Sequence, residues 1–302
     1  MNYEEQNAYY CDSVEKGLRA LMPEASSPFG EGMIPASLCR AMRYSLLAGG
    51  KRVRPVLLLA TADMLGVELE EALCPACALE MIHTYSLIHD DLPGMDDDDV
   101  RRGKPTNHKV FGVGTATLAG DGLLNYAFEC MLQNALRYPE RLRGHVLAIE
   151  EIARRCGVTG MIAGQSIDLL YENRQMDEAA LTYIHRHKTA DLLTAPLIAA
   201  AHIAGATDAQ ADALRAFGYG VGIAFQIQDD LLDIEGDAAQ LGKATGMDAA
   251  RGKMTWPALY GVPKAHEMEQ ELWSQAHSAL KCFGDRAAYL REFATRLRAR
   301  RA

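Results

Sequence analysis

Six aspartates fall within the ten residues from Asp90 to Asp99, and Arg101, Arg102 and Lys104 follow at once. Crowded carboxylates raise one another's pKa unless a cation lies among them. Hard divalent cations such as Mg2+ take oxygen ligands, commonly one or two carboxylates together with substrate phosphates and water. A phosphate carried on such an ion accounts for the acids and the bases together. The preceding text, "LEMIHTYSLIH", is an apolar helical pattern, so Asp90 and Asp91 are expected at the end of a buried helix and not in a solvated loop.

A second acidic cluster, "FQIQDDLLDIEGD", places Asp229, Asp230 and Asp233 three and four residues apart on an apolar helix, and all three carboxylates share one side of it. Two helix-borne clusters suggest two walls of one cavity with a bridging metal cluster. The basic complement comes in three pieces. "GGKRVRP" supplies Lys51, Arg52 and Arg54 after Gly49 and Gly50, whose flexible backbone can offer N–H groups to an anion. "RRGKP" supplies Arg101, Arg102 and Lys104, and "LGKATGMDAARGKMTWP" adds Lys243 and Lys253. The Gly-Gly-Lys stretch lacks the earlier glycine and the Ser/Thr of a P-loop. Acids and bases together describe an anion pair site, with one phosphate held through metal and another by arginine and lysine directly.

The elements that must position these groups read as helices from end to end. "SLCRAMRYSLLAGG", "CALEMIHTYSLIHDD", "GLLNYAFECMLQNAL", "LTYIHRHKTADLLTAPLIAAAHIAG" and "ADALRAFGYGVGIAFQIQDDLLDI" repeat apolar residues at spacings of three and four, and period-two strands are missing. Breaks at Gly49-Gly50, Pro93-Gly94, Gly112 to Gly114, Gly157, Gly205 and Gly236 are ordinary loops. The expectation is a single all-α domain, residues 1–302, of roughly ten or more helices.

At 302 residues with 49% hydrophobic content the chain can build a large core. Its net charge of −9 and pI near 5.5 exclude a global basic field that gathers nucleic acid. The start, "MNYEEQNAYY", is acidic where a signal peptide is basic, and the longest apolar stretch, "TAPLIAAAHIAGA", is shorter than the ~18 residues of a membrane span. These features predict a cytoplasmic protein without membrane insertion. Seven scattered cysteines predict reduced thiols. Cys74 and Cys77 form a lone CxxC beside His83 and His89, and Pro75 reads as the first position of a helix that carries both thiols into the core.

Seven ordered motifs, "GGKRVRP", "EMIHTYSLIHDDLPGMDDDDVRRGKPTNH", "LAGDGLL", "GMIAGQSIDL", "HKTADLL", "FQIQDDLLDIEGD" and "LGKATGMDAARGKMTWP", resemble the trans-isoprenyl diphosphate synthases over nearly the whole chain, most closely the bacterial farnesyl diphosphate synthases. The resemblance implies an isoprenoid synthase fold, a large helical bundle around a central apolar cavity, a homodimer, and head-to-tail condensation of an allylic diphosphate with isopentenyl diphosphate. It implies that Asp90, Asp91 and Asp96 (DDxxxxD) and Asp229, Asp230 and Asp233 (DDxxD) bind the allylic diphosphate through Mg2+, usually three ions. Arg101, Lys188, Lys243 and Lys253 would touch that diphosphate. Gly50, Lys51, Arg54, His83 and Arg102 would hold isopentenyl diphosphate without metal. Lys188, Thr189 and Gln226 match the positions that stabilise the allylic cation.

Pro93-Gly94 is expected to turn Asp96 back toward Asp90. His89 is read as a satisfied structural histidine. Ala190 stands where the family often has glycine and Trp256 where it often has tyrosine, and both are read as conservative. The basic tail "TRLRARRA" is read as a solvated helix end, with an arginine lid over diphosphate as the alternative. Tyr85 lies five residues before Asp90, about 7 to 8 Å down a helix axis. The resemblance makes Tyr85 and Ser86 the floor of the product channel and C15 the expected product. The alternatives are a C20 geranylgeranyl diphosphate synthase, a non-catalytic modulating subunit, and a terpene cyclase, which would not need the second diphosphate site.

Overall fold

The computed structural model describes residues 1–22, 24, 28, 33–172, 174, 176–235 and 254–299, which form two compact units, 1–149 and 150–302. In the first unit lie α1 (Tyr3–Leu21), α2 (Ala36–Leu46), α3 (Val53–Met64), α4 (Leu69–Asp90), the short α5 (Asn107–Phe111) and α6 (Val113–Leu136). The all-α expectation holds.

α4 organises this unit and is buried on most of its circumference, which is why its apolar residues show little one-sided periodicity. It begins at Leu69, so Pro75 lies inside the helix and not at its first position. Proline has no N–H for the carbonyl four residues back. That carbonyl, on Glu71, accepts instead from Asn134 Nδ2 of α6 at 3.1 Å. The thiols of Cys74 and Cys77 donate to the carbonyls of Cys130 and Val14, which makes them core residues and not a zinc or redox pair. All seven cysteines are free.

One strand pair departs from the expected absence of strands. Val100–Arg101 (β1) pairs antiparallel with Lys104–Pro105 (β2), with Arg101 opposite Lys104. Arg102 and Gly103 between them have φ of 53° and 73°, the two positive values of a two-residue hairpin turn whose twist matches the strands. Tyr44 Oη donates to the Pro105 carbonyl at 2.8 Å, and Asn107 Nδ2 donates to the Ala41 carbonyl and Ser45 Oγ, so the hairpin is fixed to α2.

α7 (Leu142–Cys156) carries the chain into the second unit, which holds α8 (Met161–Leu170), α9 (Glu178–Ile184), α10 (Asp191–Ala204) and α11 (Asp208–Glu235). Helices Trp256–Tyr260, Val262–Ala279 and Ala288–Arg298 follow. The long helical run expected from Leu181 to Gly205 is interrupted at His185–Ala190 by a π-helical turn. Wider turns of this kind occur mostly at functional sites. Two glycines make room for it: a Cβ on Gly164 of α8 would run into the backbone of Lys188, and one on Gly222 of α11 would lie 2.6 Å from Ala190 Cα.

Beyond the turn, α10 is buried over nearly its full length, and Gly218 of α11 admits Thr194 at the closest approach. No helix among the described residues is long and apolar enough to cross a membrane.

Candidate active site

The first unit brings the leading acidic motif and two of the basic pieces together. α4 stops at Asp90 and caps at Asp91. Past Pro93-Gly94 the chain folds back, and the Asp96 amide donates to the Asp90 carbonyl at 2.8 Å, which gives the expected return of Asp96. The carboxylates then differ in their engagements. Asp91 is 3% exposed and accepts from Arg101 Nε at 2.6 Å. Burial raises its pKa against the pull of that guanidinium. Arg101 also reaches Asp98 at 3.2 Å, so the hairpin strand holds the guanidinium beside the motif. Arg101 and Arg102, with Thr84, Leu87, Ile88 and Asn107, line a small pocket open to solvent.

The basic residues around the Gly49-Gly50 turn form a cation cluster. Gly50 has φ of 130°, and a Cβ there would lie 2.8 Å from the Arg102 guanidinium, which bonds the Gly49 carbonyl. Only glycine lets the backbone and that guanidinium meet so closely. Arg54 is pulled down to about 10 by burial and by Arg102, and its Nε is buried without a hydrogen-bond partner among the described residues. His83 is pushed well below its usual value by burial and by Arg54, Arg102, Arg101 and Arg52. Lys51 is exposed. A buried donor without an acceptor, a histidine kept neutral by its neighbours and several cations together favour a dianion at this place.

The second unit holds the other motif. Thr189 Oγ1 donates to Gln226 Oε1 at 3.1 Å, and Gln226 Nε2 donates to Asp229 Oδ2 at 3.4 Å, so the expected cation-stabilising pair is tied to the first carboxylate of DDxxD. Lys188 Nζ lies 2.6 Å from Asp168 Oδ2 on α8. Asp230 is 8% exposed and accepts from the Trp256 amide at 2.9 Å. Asp233 lies one turn further along α11 and is partly buried. In both motifs the middle carboxylate therefore has a protein donor, Arg101 or the Trp256 N–H.

Among the described residues no three His, Cys, Asp or Glu side chains converge on a point that could hold a metal alone. A hard-oxygen donor set of one or two aspartates fits an ion that arrives with phosphate and water as its remaining ligands.

A profile of the polyprenyl synthetase family matches residues 35–288. This chain belongs to that family. It is 51% identical over 234 residues to the farnesyl diphosphate synthase of Geobacillus stearothermophilus, covering 77% of this chain and 78% of that one. It is 46% identical over 252 residues to geranylgeranyl pyrophosphate synthase 7, chloroplastic, of Arabidopsis thaliana, covering 82% and 72%. Among solved structures, an FPP/GFPP synthase from Zymomonas mobilis matches with a TM-score of 0.85 at 35% identity over 97% of each chain. A geranyltransferase from Legionella pneumophila matches with 0.83 at 32% identity, covering 98% of this chain and 97% of that one. The fold is the all-α isoprenoid synthase fold, and the enzyme is a prenyltransferase.

Several neighbours of the motifs in this polyprenyl synthetase went unassigned in the sequence. Asp168 holds Lys188. Trp256 does more than replace a tyrosine: its Nε1 donates to His185 Nδ1 at 2.6 Å, which links Asp230 to the start of the π-turn. Ala190 fits because Gly222 opposes it. His89 has Nε2 3.1 Å from the Thr117 carbonyl and its ring against Gly120. Tyr85, 5% exposed, meets that ring edge-on at 5.7 Å, and Ser86 Oγ donates to the His83 carbonyl.

Lys243 and Lys253 lie outside the described residues, as do the last three residues of the tail. Within the tail, Arg296 pairs with Glu292, and Gln228 Nε2 donates to the Arg298 carbonyl.

His185 carries a pH dependence. Burial, with Lys188 nearby and despite Asp168, lowers it to about 4 from 6.5, so the unfolded chain takes the proton first. The stability from its neutral form is complete above about pH 6.5 and is lost as pH falls toward about 4. Denaturant midpoints are expected to fall between pH 7 and pH 5, with a shallower fall in His185→Gln. An equal slope in the two proteins would contradict this origin.

Proposed function

We propose that this prenyltransferase condenses dimethylallyl or geranyl diphosphate with isopentenyl diphosphate to give farnesyl diphosphate, with residues 1–302 acting as one catalytic domain. The observation that carries the two-diphosphate reading is the guanidinium group of Arg54 and Arg102 beside neutral His83, with the buried Arg54 Nε lacking a partner among the described residues; Lys51 joins them from the same stretch of chain. A terpene cyclase has no need of it. Isopentenyl diphosphate binds there and at the Gly50 backbone without metal. The allylic diphosphate is held by Arg101, Lys188, Lys243 and Lys253 and, through magnesium, by Asp90, Asp96, Asp229 and Asp233. Asp91 and Asp230 orient these motifs through Arg101 and Trp256. When bound with the substrate, Mg2+, three ions by the family pattern, would supply charge stabilisation to the departing diphosphate.

The C1–O bond of the allylic substrate breaks and its electron pair leaves with the diphosphate. The isopentenyl double bond attacks the allylic cation, and the proton lost from the new C–C unit passes to the departing diphosphate. Thr189 and Gln226, already hydrogen-bonded to each other, present fixed dipoles to the cation, and the Lys188 ammonium receives the leaving charge.

A C15 product is supported by buried Tyr85 and by the resemblance to the Geobacillus enzyme. A C20 product is the second reading, because geranylgeranyl synthases match at 45–46% identity. We place the reaction in the cytoplasm, where seven free thiols stay reduced. A homodimer is supported by exposed Leu118, Leu132 and Leu136, which fall on one face of α6. Sedimentation is expected to give the mass of two chains, and a monomer at micromolar concentration would contradict it.

Protein incubated with Mg2+, isopentenyl diphosphate and dimethylallyl diphosphate is expected to yield farnesol after dephosphorylation, and Tyr85→Ala to shift the alcohols toward C20 or longer. Geranylgeraniol from the unaltered protein would transfer the assignment to the C20 reading, and no alcohol would overturn prenyl transfer. Asp90→Ala and Asp229→Ala are each expected to lower turnover by at least about a hundredfold, the scale of losing one preorganised charge stabiliser. Steady-state assays at saturating Mg2+ check this, and full activity in either variant would remove that aspartate from the metal set.

A further inference from the structure

The Gly49–Arg54 turn contains one guanidinium that the substrate assignment leaves unused. Arg52 is 3% exposed and sits at φ 46° and ψ 36°, the left-handed region, which a non-glycine residue keeps only where its surroundings hold it there. Three hydrogen bonds hold it there. Nε donates to Glu15 Oε1 of α1 at 2.7 Å, Nη1 to Glu80 Oε1 of α4 at 2.7 Å, and Nη2 to the Leu46 carbonyl at the end of α2 at 2.9 Å. Arg52 stands between Lys51 and Arg54 in the chain, and Glu80 stands one helical turn before His83 on α4. A single side chain thus fastens the turn that carries two of the cations to the helix that carries the third group.

We propose that Arg52 is a positioning residue for the metal-independent diphosphate, setting the spacing of Lys51, Arg54 and His83 through Glu15 and Glu80. This rests on the assignment of isopentenyl diphosphate to those three groups. The guanidinium suits the task because its planar fork satisfies three acceptors in fixed directions, which an ammonium on a flexible stem does not.

Electrostatics separates positioning from a simple charge effect. Glu80 is a countercharge to Arg54 and Arg102 as well as to Arg52, and Glu15 is one to Arg102. If field alone mattered, neutralising either carboxylate would strengthen the pull on a diphosphate. If the carboxylates hold Arg52, neutralising them loosens the cluster and weakens binding. The two effects have opposite signs.

The test compares the full chain with Arg52→Lys, Glu15→Gln and Glu80→Gln. KM for isopentenyl diphosphate and KM for geranyl diphosphate are measured separately, with thermal midpoints alongside. Arg52→Lys is expected to raise KM for isopentenyl diphosphate about tenfold, the scale of one charge-assisted hydrogen bond, and the two glutamine variants severalfold, with KM for geranyl diphosphate unchanged. Glu15, whose side chain is 32% exposed, gives a variant that folds if Arg52→Lys does not.

An unchanged or lowered KM for isopentenyl diphosphate in Glu15→Gln would overturn the proposal. So would a parallel rise in both KM values, which would reduce Arg52 to general stability. An unaltered protein without turnover would overturn the substrate assignment and this inference with it, whereas an active protein with insensitive variants overturns this inference alone.

Discussion

A site that holds a diphosphate without metal needs several cations close together, with donors not already committed to carboxylates. Buried like charges repel: two of them 4 Å apart interact by about 4 kcal/mol at an effective dielectric of 20. Most of the first unit's polar architecture answers that constraint. Arg52 takes Glu15 and Glu80 as its partners, and Glu80 lends countercharge to Arg54 and Arg102 without a hydrogen bond to either. Arg54 keeps a buried Nε available, and His83 stays neutral among the cations. The arrangement stores unfavourable charge that a dianion would relieve.

The acidic motifs meet the converse requirement. In each, one carboxylate of the adjacent pair is tied to the protein frame, Asp91 to the hairpin through Arg101 and Asp230 to the backbone of Trp256. That tie fixes each motif to the frame through its middle member. The same economy appears at the π-turn, where Gly164 and Gly222 allow close backbone contact, Thr189 reaches Gln226, and Trp256 holds His185. A wider helical turn would be unstable on a free helix, and here it is kept by packing on two sides.

Much of this was legible in the sequence where the signal is local. The apolar run before Asp90 ends as a buried helix because its periodicity does, and Asp96 returns because Pro93-Gly94 stops the helix. His89 has a hydrogen-bond partner in the Thr117 carbonyl, as a lone histidine on an apolar run usually does. What escaped depends on contacts distant in the chain. Pro75 reads as a helix start until Asn134 is seen to satisfy the carbonyl it strands. The π-turn is invisible in "HRHKTA" because the glycines that permit it lie on α8 and α11. The hairpin had a signal, an Arg-Gly pair between short flanks, that the charge pattern obscured. Arg52 looked like one more cation in "GGKRVRP", and only its bonds to Glu15 and Glu80, far off in the chain, separate it from Lys51 and Arg54.

The division between a metal-held and a metal-free diphosphate is the centre of this account, and equilibrium binding tests it most directly. Calorimetric titration with isopentenyl diphosphate and with geranyl diphosphate, each in EDTA and in excess Mg2+, separates the two sites without any turnover. Isopentenyl diphosphate is expected to bind with similar affinity in both conditions, and geranyl diphosphate to lose most of its affinity in EDTA. Loss of isopentenyl diphosphate binding in EDTA, or metal-independent binding of geranyl diphosphate, would contradict the division.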